Sequence, residues 1–287
     1  MVPFKNILIP VDSLYNAQIA VDKALELSEA GETTVYLVAI IKYESFWHKL
    51  IYTNTQKQPR LNRKKELARK KLETLRDKIY DLVPQIVVKT IVITETTISN
   101  NLLRFVQEQE IDLVIATNQQ QKTGFSFFRK SIHEDLSVKA NLAVLTVTKG
   151  CLNHPIKSIV LPVTSFVPER KIHMALAFSK KFNAHIHLVT ILDSNDVNTK
   201  IRIDAFYLTY KILSELGHSP QYKILHGNDS DMSLVRYANQ VKADMILVNP
   251  EKKKMIPGFF QGKITDMMQP LSALHILTLK PYLRRSI

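Results

Sequence analysis

Lys5-Asn6-Ile7-Leu8-Ile9-Pro10-Val11-Asp12-Ser13 occurs twice in this chain, the second time as Lys157-Ser158-Ile159-Val160-Leu161-Pro162-Val163-Thr164-Ser165. Each copy is a short apolar run, then Pro, Val and a polar pair. A run too short for a helix and rich in β-branched residues predicts a strand buried on both faces. Polar residues at the carboxyl end of such a strand stand where open α/β sheets bind ligands. The copies differ there: Asp12 in the first, Thr164 in the second.

The repeat extends outward from both copies. After the first strand, Ala17, Ala20, Val21, Ala24 and Leu27 recur at helical spacing, with Gly31 as a stop. Thr34 to Ile41 predicts a second strand, so the unit is βαβ and the sheet parallel. In the second copy Pro168 suits a first helical turn. Ile172, Ala175, Leu176 and Ser179 are the expected inner face, and His185 to Leu192 the next strand. Ala24-Leu25-Glu26-Leu27-Ser28 answers Ala175-Leu176-Ala177-Phe178-Ser179.

Aromatic residues Tyr43, Phe46, Trp47 and Tyr52 follow in the first copy. A long helix comes next, with Ala68, Leu72, Leu75, Ile79 and Leu82 as its apolar stripe. The run Arg63 to Lys71 makes it strongly basic; Glu66, Glu73 and Asp77 interleave, which favours a solvated face. The second copy predicts a shorter helix with the stripe Ile201, Ala205, Leu208, Ile212 and Leu216.

Val87 to Thr94 is a third strand. Leu102-Leu103-Arg104-Phe105 answers Leu234-Val235-Arg236-Tyr237, and Asp112-Leu113-Val114-Ile115 answers Asp244-Met245-Ile246-Leu247. A last helix in each copy leads to Leu142–Val147 and to Leu274–Leu279. The expected fold class is therefore α/β: two tandem, doubly wound, Rossmann-like domains, residues 1–150 and 151–287, each a five-stranded parallel sheet.

The totals agree. A chain of 287 residues with 45% hydrophobic and 23% charged residues is ordinary for two globular domains. No apolar run approaches the roughly 20 residues a membrane helix needs. The N-terminal apolar run is too short for a signal peptide, and the lone Cys151 fits a reducing compartment, so the expected location is the cytoplasm. The net charge of +13 is spread over both halves. That is read as a basic surface, and nucleic acid is not expected as a partner.

In order and taken together, several features resemble the universal stress protein family. They are the first strand ending Pro-Val-Asp, the Ala-Leu-x-x-Ser helix, the Asp-Leu/Met-Ile/Val strand and the final Leu-x-Val/Ile-Leu strand, each present in both halves or closely matched. The resemblance covers nearly the whole chain, as a tandem member. It implies the adenine nucleotide alpha hydrolase-like fold, strand order 3-2-1-4-5, and pairing of the two domains through their fifth strands as an internal pseudo-dimer. A homodimer of the whole chain is a further expectation; no protein partner is indicated.

Nucleotide binders of the family carry an Asp after the first strand and a loop after the fourth reading Gly-x-x-Gly, nine residues, then Gly-Ser/Thr. Glycines let backbone N–H groups approach phosphate, and the following helix N-terminus favours negative charge. By this resemblance the cofactor-binding positions here are Pro10, Asp12, Ile40 (against adenine), Thr117 and Ser131. The three glycine positions fall on Thr117, Gln120 and Lys130 in the first half, and on Asn249, Lys252 and Gly262 in the second, where Lys263 takes the Ser/Thr place. Gly124 and Gly258 are out of register. The phosphate loop is degraded in both halves, though Lys122, Arg129, Lys130, Lys252, Lys253, Lys254 and Lys263 crowd it. ATP or another nucleotide is expected to bind weakly at most, and no cofactor is required.

No catalytic constellation is present in the sequence. There is no His-Glu-x-x-His, no cysteine pair and no Gly-x-Ser-x-Gly elbow. His133 and Glu134 are adjacent, and His226 to Asp231 reads as a turn and helix cap rather than a metal site. The expected function is a non-enzymatic stress-response module acting through dimerisation and partner or small-ligand binding. An ATP-binding switch with slow hydrolysis in the first domain, and a polyanion binder, are the alternatives.

Overall fold

The computed structural model describes residues 4–29, 31–42, 54–95, 98–117, 136, 140–147, 155–192, 198–226, 230–250 and 274–281. The chain divides into two compact units, Phe4–Val147 and the part beginning at Thr148. The aromatic stretch 43–53, the last helix of each copy apart from Leu136, Cys151, and the pair His133 and Glu134 lie outside the described residues.

In the first unit, β1 (Asn6–Pro10), α1 (Leu14–Leu27), β2 (Thr34–Lys42), α2 (Asn54–Leu82), β3 (Val87–Glu95), α3 (Ile98–Glu108), β4 (Leu113–Thr117) and β5 (Ala143–Val147) follow one another. All neighbouring strands pair in parallel, in the order β3-β2-β1-β4-β5. The second unit repeats this with β6 (Ser158–Val163), α4 (Glu169–Phe182), β7 (His185–Leu192), α5 (Thr199–Glu215), β8 (Gln221–His226), α6 (Ser230–Gln240), β9 (Met245–Val248) and β10 (His275–Thr278). Its order is β8-β7-β6-β9-β10, again all parallel. The 3-2-1-4-5 order that the family resemblance implies is thus present in each half. It puts β1 and β6 at the centre of their sheets, with Ile7, Leu8, Ile9 and Ile159, Val160, Leu161 fully buried.

Local chemistry sets the helix ends. The Ser13 hydroxyl caps α1 by accepting from the Asn16 N–H at 3.2 Å. At its other end the Ser28 N–H donates to the Ala24 and Leu25 carbonyls. Ala17, Ala20, Val21, Ala24 and Leu27 are all buried, as their spacing predicts. Helix α4 has Glu169 in its first turn and Lys180 and Lys181 in its last, the signs that suit the helix dipole. It stops at Asn183, whose left-handed φ of 52° few other side chains tolerate.

Two expected faces are corrected. The buried face of α5 is Ala205, Phe206, Thr209 and Leu213, while Ile201, Leu208 and Leu216 are exposed. The helix carries apolar residues on two sides, and the larger ring of Phe206 takes the sheet. In α4, Phe178 is fully buried and Leu176 is only half-buried. Along α2, Leu72, Leu75 and Ile79 are buried as expected, but Leu82 at the helix end is 64% exposed.

One core contact shows how the repeat has diverged. On β2, Tyr36 meets Phe105 of α3 edge-on, with ring centroids 5.9 Å apart. The answering pair in the second unit is His187 on β7 and Tyr237 of α6, at 6.1 Å and also edge-on. The hydroxyl has moved from strand to helix. There it lies 3.2 Å from His187 Nδ1, inside the core. Burial pushes the His187 imidazole below its usual value, and nearby His185 pushes the same way. Burial likewise raises the Tyr237 hydroxyl.

Folding therefore favours neutral His187. Its contribution is fully present above the unfolded histidine value of about 6.5 and is lost as pH falls through that value toward the lower folded one. Replacing the pair by its first-unit counterpart (His187→Tyr with Tyr237→Phe) is expected to flatten the loss of stability between about pH 7 and 5. Urea unfolding across that range checks it; an acid limb as steep as that of the unaltered protein would refute the assignment.

Candidate functional site

The carboxyl edge of the first sheet gathers four of the five positions singled out by sequence. Pro10 ends β1 beside Val38 of β2. The chain then passes Val11, whose N–H donates to the Val38 carbonyl at 2.8 Å, and reaches Asp12 before α1 begins. Ile40 lies two residues further along β2 than Val38. On the other side β1 pairs with β4 at Ile7–Leu113 and Leu8–Val114. Continuing that register brings Thr117, the last residue of β4, level with Val11. Ser131, with Gln120, Lys130 and the basic loop residues 122–130, lies outside the described residues.

The Asp12 carboxylate is not idle. It accepts from the Ser13 N–H, and its Oδ2 accepts from the Asn16 side-chain amide at 3.2 Å. Asn16 is a site residue that the sequence reading missed. Its signal was there: a polar residue in the first turn of the helix that follows Asp12 lies close enough to reach back to it. Asn16 is 2% exposed. Because its Nδ2 faces the carboxylate, its Oδ1 is left buried with no donor among the described residues. Asp12 is half-exposed and keeps unused lone pairs, since a carboxylate offers about four acceptor sites. The edge thus presents the Asp12 carboxylate as an acceptor, suited to hydroxyl donors such as those of a ribose or other polyol. Ile40 is 5% exposed and packs with Leu102 and Val106 in the core, so it offers little surface to a base.

The second sheet's edge has the opposite character. Lys171 of α4, at the position answering Ala20 of α1, is 5% exposed, and its Nζ donates to the Pro162 carbonyl at 3.2 Å. Thr190 donates to the Val163 carbonyl at 3.1 Å. Asn249 Oδ1 and Thr278 Oγ1 are buried there without a partner among the described residues. The second edge thus carries a buried lysine where α1 has Ala20, and Thr164 where the first half has Asp12.

Two other polar features lie elsewhere in the second unit. An open groove of about 570 Å³ lies between the ends of α4 and α5, at the amino edge of the second sheet, away from the sites above. In it Ser179 Oγ is 3.5 Å from His218 Nδ1, but that hydroxyl already donates to the Ala184 carbonyl at 2.7 Å, so it is a turn anchor and not a poised nucleophile. His226 is exposed at the end of β8, and 227–229 lie outside the described residues. No group of three potential metal ligands occurs among the described residues.

With this geometry in view, residues 3–148 match the family model described as "Universal stress protein family". The chain belongs to the universal stress protein family. Among solved structures, a universal stress protein from Archaeoglobus fulgidus DSM 4304 is similar over 96% of both chains, with a TM-score of 0.67 and 11% identity. A functionally unknown protein from Pseudomonas aeruginosa PAO1 is similar over 97% of this chain and 93% of its own, with a TM-score of 0.57 and 16% identity. The cytoplasmic domain of a prokaryotic cation chloride cotransporter gives a TM-score of 0.51 at 10% identity, over 96% of each chain. At such identities these likenesses concern the fold alone. No curated protein matches. The match to full-length structures extends the universal stress protein fold to the second half, as the internal repeat does. Among the described residues no helix is long and apolar enough to cross a membrane.

Against the family's nucleotide pattern the two halves of this universal stress protein part company. The first keeps the pattern's Asp, at Asp12, and has Thr117, Gln120 and Lys130 at its three glycine positions. The second has Thr164 in place of the Asp and keeps one of the three glycines, Gly262.

Proposed function

We propose that this chain is a non-enzymatic, cytoplasmic stress-response module that works by association with a partner or a second copy. Its first-half edge holds a small hydroxyl-bearing ligand rather than serving as an ATPase centre. The observation that carries the reading is the divergence of the two edges. Asp12 is held in place by Asn16 and keeps free acceptor capacity, while at the second edge Thr164 replaces the carboxylate and Lys171 reaches the Pro162 carbonyl. The lost loop glycines support weak nucleotide affinity. By the family pattern, Thr117, Gln120 and Lys130 stand where glycines would let backbone N–H groups approach phosphate.

Titration calorimetry with ATP is expected to give a Kd nearer 1 mM than 1 µM, about −4 rather than −8 kcal/mol. Low-micromolar affinity that is lost in Asp12→Ala would overturn the proposal and favour a nucleotide switch. Sedimentation showing only monomer, in protein that also purifies without any bound partner, would remove the association half of it.

A further inference from the structure

Helix α2 has a charge distribution that its sequence conceals. Along the chain the acids Glu66, Glu73, Asp77 and Asp81 interleave with the bases. On the helix Glu66, Glu73 and Asp77 separate from the bases, while Asp81 lies in line with them about one turn beyond Lys78. Taking 3.6 residues per turn, Arg60, Arg63, Lys64, Lys70, Lys71 and Lys78 fall within an arc of about 120°. Leu67 and Thr74 complete that strip. Every one of these residues is exposed. Between Arg60 and Lys78 the strip contains no carboxylate, because Glu66, Glu73 and Asp77 fall on the neighbouring strip or at its border. Arg76 is spoken for by Asp77, at 3.0 and 2.9 Å, and does not belong to it. From Arg60 to Lys78 the row runs about 27 Å in a straight line.

The repeat supplies a control. Helix α5 holds the same place in the second unit, with only Lys200, Arg202 and Lys211 as bases, and Lys211 pairs with Glu215. The basic row is therefore not a requirement of the fold. We infer that the exposed row of α2 is a binding surface for the phosphate backbone of duplex nucleic acid, read without regard to sequence.

Charge and shape select this partner. A linear row of cations matches a linear array of phosphates, and affinity comes from counterion release. A bilayer fits poorly. Interfacial helices bury an apolar face in lipid, and the apolar face of α2 (Leu72, Leu75, Ile79) is already buried on the sheet, each residue 1% exposed. Single strands fit poorly too, since they need aromatic platforms for stacking. The row has none; Tyr80 points from a different strip, about 140° from the centre of the row.

The test is fluorescence anisotropy of a labelled mixed-sequence DNA duplex with the full chain, between about 50 and 200 mM salt. The same duplex as RNA, a single strand, poly-glutamate and anionic vesicles serve as competitors. The variant Arg63→Gln, Lys64→Gln, Lys70→Gln, Lys71→Gln keeps good helix formers at exposed positions. It is expected to bind at least tenfold more weakly and to flatten the log–log salt slope by about 3 to 4, near 0.9 for each phosphate that is no longer neutralised. Lys200→Gln, Arg202→Gln, Lys211→Gln in α5 is expected to leave the slope unchanged. Circular dichroism confirms that both variants fold.

Three results overturn the inference: no binding at the lowest salt, an equal slope in the α2 variant, or competition by poly-glutamate or vesicles as strong as that of unlabelled duplex. DNA and RNA duplexes competing alike supports it. Competition by the single strand stronger than by either duplex refutes the duplex preference.

Discussion

Phe206→Ala is expected to destabilise the second unit by about 3–5 kcal/mol, the usual cost of emptying a buried aromatic site. Leu208→Ala, two residues on, is expected to change stability by no more than about 0.5 kcal/mol. Phe206 is 1% exposed, with ring centroids 5.9 Å from Tyr207 and 6.4 Å from Tyr222; Leu208 is 50% exposed. Against a typical domain stability of about 5–15 kcal/mol, the first loss removes a large share of the total. At a urea m-value of about 1–3 kcal/mol/M it moves the midpoint by more than 1 M. Comparable midpoints for the two variants would show that α5 does not face its sheet as described.

Asp112→Ala and Asp244→Ala are each expected to cost about 2–3 kcal/mol, and Asp→Asn at either place somewhat less. Each carboxylate closes the amino end of a sheet. Asp112 Oδ2 accepts the Lys5 and Asn6 N–H groups at 2.8 and 3.0 Å, and Asp244 Oδ2 accepts those of Lys157 and Ser158 at 2.8 and 2.9 Å. Hydrogen bonds to a charged group contribute about 1.5–3 kcal/mol each. Partial exposure of these pairs to solvent reduces that figure, so the estimate for two bonds stays at the low end. Without the carboxylate, two adjacent N–H groups of the central strand lose their acceptor together. Hydrogen exchange at Lys5 and Asn6, or at Lys157 and Ser158, reports the effect locally. Unchanged protection at those amides would refute it.

These two predictions differ in how far the sequence foretold them. Asp112 and Asp244 stand at the same place in the repeated Asp-Leu/Met-Val/Ile-Ile/Leu strand, so their equivalence was legible, though not their role. The carboxylates act across more than 80 residues of chain, on N–H groups of a strand that only the parallel crossover brings alongside. For α5 the sequence pointed to the wrong stripe. Helical periodicity shows that apolar residues share a face, but when a helix carries two such faces it cannot say which one meets the sheet. In α4 the same ambiguity exchanged Leu176 for Phe178.

The candidate site divides in the same manner. Asp12, Pro10, Ile40 and Thr117 were legible because a repeated strand and a family pattern marked them, and the parallel register does gather them at one edge. Asn16 and Lys171 were not. Both look like ordinary helix residues until α1 and α4 dock, when burial forces each polar group to find a partner: the Asp12 carboxylate for one, the Pro162 carbonyl for the other. The basic row of α2 lies between these cases. Its residues were plain in the sequence, but their separation from Glu66, Glu73 and Asp77 needed the helical phase to be known.

By itself, then, the sequence determined the α/β class and the tandem repeat, because these rest on the period and order of apolar segments; the strand order came with the family that its motifs resemble. Hydrophobic burial acts on those patterns almost regardless of detail. The tertiary structure alone decided which face of α5 is buried, what holds Asp12, and that Lys171 is buried against the Pro162 carbonyl. Those outcomes turn on the rotation of each helix about its axis and on which polar atoms lose water when it docks. A single helix turn leaves both open, and the packed sheet beneath it closes them.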